Sequence, residues 1–89
     1  MTKEELKDAV IAAARRTWVQ QGAAVLAAMG GRVTRDEVVQ GLLNARELTS
    51  NMTPEEATAY RSLPPLIKRA ILTLAFPDVL TTSSGELRG

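Results

Sequence analysis

Eighty-nine residues suffice for one small domain, and an apolar content of 45% is ordinary for a globular one. With no cysteine and no histidine, disulfide staples are excluded and the usual zinc sites lose their ligands. Eleven basic and ten acidic residues leave a net charge of +1, which is neither the basic balance of a strong nucleic-acid binder nor the acidic balance of a DNA mimic.

Trp18, Tyr60 and Phe76 are the only aromatic residues, so the core must be built from Leu, Ile, Val and Ala. A chain of this length buries only about 60–65% of its unfolded surface. Self-association is then the remaining way to widen a thin stability margin. Thr-x-x-Glu occurs three times, at Thr2–Glu5, Thr34–Glu37 and Thr53–Glu56. Each is a capping box, in which the threonine hydroxyl and the glutamate reciprocally satisfy backbone N–H groups at a helix start.

The first predicted helix begins after Thr2 and runs to about Met29, where Gly30-Gly31 stops it. Leu6, Val10, Ala14, Trp18, Gln21, Val25 and Met29 fall on one broad face, with Ile11 at its edge, and form a core-facing stripe. A second, narrower apolar line runs through Ala12, Val19, Ala23 and Leu26. Its steps of seven, four and three keep to one side of a helix, as a packing seam does. A helix of about 28 residues would be roughly 42 Å long. Either it breaks, with Gly22 the obvious place, or it projects and packs on something outside its own domain.

The second predicted helix has Thr34 as N-cap, Glu37 to complete the box, and Val33 and Val38 placed as a hydrophobic staple. Val38, Leu42 and Ala45 line one face, with Val39, Leu43 and Leu48 broadening it, and the helix fades by Thr49-Ser50-Asn51. The third is short: Thr53 caps it, Pro54 takes the first position, and Pro64-Pro65 ends it by Leu63. The fourth runs from Pro65 to Phe76 and stops at Pro77. It is apolar nearly all round, with only Lys68, Arg69 and Thr73 polar. Such a helix is central, or half of it meets a partner. From Asp78 onward the chain is small and polar and reads as a mobile tail.

These elements predict an all-α fold, a small four-helix bundle with one long N-terminal helix and no sheet. Residues 1–77 form a single helical domain and residues 78–89 a flexible C-terminal tail. The longest uninterrupted apolar run, Ala23–Met29, is far short of the ~20 residues of a membrane span. The N-terminus lacks the pattern of a signal peptide, so the expected location is cytoplasmic.

No grouping of residues organises a reaction site. Serines stand at Ser50, Ser62, Ser83 and Ser84, all in predicted turns or the tail, with no histidine to activate them. The acidic pairs Glu4/Glu5, Asp36/Glu37 and Glu55/Glu56 lie in helix first turns, where capping accounts for them. They also lack the spacing of a calcium loop. No enzymatic activity, metal or cofactor is expected. Gly30-Gly31-Arg32 reads as a helix C-cap rather than a phosphate cradle, since no strand precedes it.

Residues 24–39, with their Gly31-Arg32-Val33-Thr34-Arg35 turn, resemble the first two helices of a winged helix. That resemblance implies a recognition helix and a β-wing downstream. The downstream segment is instead Asn51-Met52-Thr53-Pro54-Glu55-Glu56, acidic and proline-started, which does not suit a helix entering a major groove.

The functional expectation is a small non-enzymatic regulator or adaptor that binds another protein through a helical surface and forms a homodimer. Small phage- or plasmid-encoded modulators and inhibitors of bacterial machinery are analogues in size and class. Ala12, Val19, Ala23 and Leu26 are the expected self-association or partner-binding residues. The competing reading is a helical DNA-binding regulator, resting on a polar rim of Arg15, Arg16, Arg32, Arg35 and Arg46.

Overall fold

A computed structural model describes residues 1–28, 30, 31 and 33–76, apart from the Val25 side chain. Five helices occur among them: α1 (Lys3–Ala28), α2 (Arg35–Asn44), α3 (Arg46–Ser50), α4 (Pro54–Arg61) and α5 (Pro65–Ala75). No strand occurs among the described residues, so the fold is all-α and no wing succeeds α2 there. The proposed division at residue 77, the tail, Met29 and Arg32 lie outside the described residues.

All three capping boxes form. The Thr2, Thr34 and Thr53 N–H groups donate to Glu5, Glu37 and Glu56 at 2.8, 2.8 and 3.0 Å. The reciprocal N–H···Oγ1 bonds measure 3.0, 3.1 and 3.1 Å. The staple residues Val33 and Val38 are both buried.

α1 is continuous over 26 residues. At 1.5 Å per residue that is about 39 Å, and the longest extent of the molecule is 39 Å. Of the two alternatives, the break at Gly22 does not occur. A Cβ there would stand 2.9 Å from the Trp18 ring, so glycine lets the indole lie against the helix backbone. The helix instead runs past the body. Ala24 and Ala28 lie on the same side as Val10 and Ala14 yet are exposed. Beyond them Gly30 and Gly31, at φ 74° and 86°, end the helix in the left-handed conformation.

The core face of α1 buries Val10 and Ala14 as expected, with Leu6, Ile11 and Trp18 packed at its margin. Ala13 and Thr17 are buried as well. Thr17 is tolerated because its Oγ1 donates to the Ala13 carbonyl at 2.8 Å.

The second predicted helix is two. Ala45 adopts extended backbone (φ −85°, ψ 127°) between α2 and α3. On a continuous helix Leu48 would point about 130° away from the Val38–Val39–Leu42 face, at 100° per residue. The break turns Leu48 inward, where it is 1% exposed. Asn51 then latches α3 to α1: its Nδ2 lies 2.8 Å from Thr17 Oγ1, 3.1 Å from Gln20 Oε1 and 3.2 Å from the Glu47 carbonyl. Ala57 and Tyr60 of α4, Leu72 and Ala75 of α5, and Phe76 close the core. Phe76 meets Trp18 edge-on at 6.2 Å between ring centroids.

Candidate functional site

The surface built around α5 is unusual in its polarity. Its charged side chains are turned to neighbouring helices. Arg69 pairs with Asp36 and donates to Gln40 Oε1 at 3.2 Å, both on α2. Lys68 Nζ sits 5.2 Å from the centroid of the Tyr60 ring on α4. Only Leu72 and Ala75 of this helix are fully buried. The outer side is apolar: Leu66 is 79% exposed, Leu74 54% and Ile67 45%, with Ala70 exposed between them. Leu66, Ala70, Leu74 and Ile67 share an arc of about 100°. The most apolar arc of α5 therefore faces solvent, the reverse of the usual arrangement for a surface helix.

The narrow seam of α1 is also largely outside. Ala12, Val19 and Ala23 are exposed, Val19 by 80%. Leu26 is half-buried and packs against the core. At 100° per residue the line runs opposite the Val10–Ala14 face. Of its four members, Leu26 is the one among the residues packed against the core.

Arg15 ties α1 to the end of α5. It stands three residues from Ala12 and four from Val19, hence on their side of α1. Its Nε donates to the Ala75 carbonyl at 3.2 Å, next to Leu74. Arg15 thus links the seam side of α1 to the C-terminal end of α5. Arg16, the next residue, turns the other way and donates to the Asn51 carbonyl at 3.1 Å. Both arginines serve helix C-terminal ends, where cations are favoured. Arg35 and Arg46 are exposed at the starts of α2 and α3. The expected rim is thereby divided among several helix ends.

A notch of about 90 Å³ lies between α1 and α2. Thr17, Val38 and Leu42 are its buried floor, Trp18, Gln21 and Ala45 its half-buried sides, and Glu37 and Gly41 its exposed mouth. Nothing stands within 4 Å of where a Gly41 Cβ would be. Glycine in a helix interior costs about 1 kcal/mol relative to alanine, and here no close approach or positive φ requires it.

Among the described residues no three Asp or Glu side chains gather as a metal-binding group would. The Thr2 N–H and hydroxyl hold the Glu5 carboxyl below its ordinary range, a consequence of capping. Burial pushes the Tyr60 phenol up. No helix among the described residues is long and apolar enough to cross a membrane.

The sequence singled out the α1 seam, and it offered the helix of Leu66, Ile67 and Leu74 as either central or half turned to a partner. Their signal was the near-continuous apolar circumference of that helix, which does not say which side is covered. No signal marked the Asn51 latch or the notch, since both depend on how α3 and α2 cross α1. No family model, curated protein or solved structure matches the chain.

Proposed function

We propose that this protein is a small non-enzymatic regulator or adaptor that binds other proteins through a helical surface and self-associates through the same surface. One observation carries the reading: the apolar arc of α5 and most of the α1 seam lie in solvent. An exposed apolar helix face on a small protein marks an interaction site more often than a bare exterior. Covering a leucine-sized side chain stabilises an interface by roughly 1.5–3 kcal/mol, a large fraction of the stability of a chain this size. DNA binding draws no support from Arg15 and Arg16, which are committed to helix ends.

Light scattering on wild type and on the Val19→Glu/Leu74→Glu double variant tests the proposal. Both residues are exposed, so the variant should keep its helical circular dichroism. Wild type should run at twice the 9.6 kDa chain mass and the variant at the chain mass. A monomeric wild type that captures no partner, or a variant that associates as wild type does, overturns the reading.

A further inference from the structure

We infer that the notch between α1 and α2 receives one basic side chain of the partner protein, with its aliphatic stem against Trp18, Val38 and Leu42 and its charged head at Glu37. This rests on the protein-binding reading above and adds a separate anchor, since Thr17 and Trp18 lie on the Val10–Ala14 side of α1 and not on the seam.

The size of the notch restricts the occupant. Sites for cofactors and drug-sized ligands typically enclose ~300–1,000 Å³, and this one holds about 90 Å³. There is room for a single side chain. The walls specify an amphipathic one. Val38 and Leu42 at the floor and the Trp18 ring at the side offer apolar surface. The only charged residue lining the notch is Glu37, and no lysine or arginine lines it. Lysine and arginine carry apolar stems with a cation at the tip, and a guanidinium also packs on an indole ring.

Two glycines shape the space. Gly22 lets Trp18 lie against α1. Gly41 leaves the mouth open where any larger side chain would project from α2. Thr17 Oγ1 at the floor donates to the Ala13 carbonyl and accepts from Asn51. An apolar stem therefore strands no donor or acceptor there.

The test titrates the protein with n-propylguanidinium, the arginine side chain from Cβ outward, and with neutral 1-butanol. Trp18 is the only tryptophan, so its fluorescence reports the notch directly, and amide chemical shifts locate the binding. The guanidinium should give a saturable change, with shifts confined to residues 17–21 and 37–45. Glu37→Gln removes the charge yet retains the capping box, since glutamine serves at that position. It should weaken binding by roughly tenfold, as loss of a charge-assisted hydrogen bond does. Gly41→Leu should abolish binding by filling the notch, with circular dichroism confirming the fold.

No saturable change in wild type, equal shifts with 1-butanol, or unchanged affinity in Glu37→Gln overturns the inference. If the chain associates as proposed while the probe does not bind, the notch assignment alone fails. If the probe binds as described but the chain neither associates nor captures a partner, the proposed function fails and the chemistry of the notch stands.

Discussion

α2 and α5 are nearly equal in length, ten and eleven residues, and Arg69 ties one to the other. They dispose of their apolar residues in opposite ways. α2 buries Val38, Val39 and Leu42 and keeps its charged residues at the surface, with Asp36 paired to Arg69 and Glu37 in the capping box. α5 buries Leu72 and Ala75, spends Arg69 on α2 and Lys68 on Tyr60, and presents Leu66, Ile67 and Leu74 to solvent. Their starts differ too. α2 has a full capping box, whereas Pro64 before α5 makes no side-chain cap. α2 is thus specified by its own sequence and its core. α5 is held chiefly by its neighbours and has an outer surface that is exposed among the described residues.

The sharpest way to break this comparison lies within α5 itself. Leu72 is fully buried and Leu74, two residues on, is 54% exposed. Leu72→Ala should cost about 2–5 kcal/mol, as deletion of a buried leucine does. Leu74→Ala should stay within about 0.5 kcal/mol in dilute solution. Urea denaturation at two protein concentrations measures both. If α5 is an interface, the Leu74→Ala deficit should grow with concentration, because association stabilises only the folded wild type. Equal losses at both positions would show that the α5 arc belongs to the monomer core.

Removing the cap of α2 should have the next largest effect. Thr34→Ala deletes the hydroxyl that accepts from the Glu37 N–H at 3.1 Å. It should cost about 1 kcal/mol by the same denaturation measurement. A negligible loss would mean that packing of Val33 and Val38 alone positions the helix, and that α2 is no better specified locally than α5.

These cases also show what the sequence could carry. Helix starts were readable because a capping box is satisfied by residues three apart, and all three formed where the threonines stood. The core stripe through Val10 and Ala14 was readable because 3.6-residue periodicity is local. The break at Ala45 was not, since its cause is the distant pocket that takes Leu48. Gly22 looked like a breaker and is a seat for Trp18. That distinction needs the rotamer of a side chain four residues earlier. At the candidate site the α1 seam was visible as a pattern, but its exposure was not, because periodicity locates a face without saying what covers it. The α5 arc was hidden for the opposite reason: a helix apolar all round has no pattern to read. Its exposed side became visible only once Arg69 and Lys68 were placed against α2 and α4.

The smallest expected effect comes from the inner side of α5, where Lys68 lies over Tyr60. Tyr60 is 5% exposed, and among the described residues its hydroxyl has no hydrogen-bond partner. A buried hydroxyl without a partner carries a desolvation cost of about 1–3 kcal/mol. Tyr60→Phe removes that cost and retains the ring beneath Lys68, so stability at neutral pH should be unchanged or slightly raised. The alkaline limb should separate the two proteins. Burial pushes the Tyr60 phenol above its ordinary value, so the unfolded chain ionises first as pH rises. The folded state then binds more protons than the unfolded state, and wild-type stability falls from about pH 10 upward. The phenylalanine variant lacks this contribution, so the difference between the two curves isolates Tyr60. A variant less stable by more than about 1 kcal/mol at neutral pH, or one whose alkaline limb matches wild type, would place a partner on the hydroxyl. The inner side of α5 would then be better satisfied than its outer arc by a wider margin than the apolar residues alone provide.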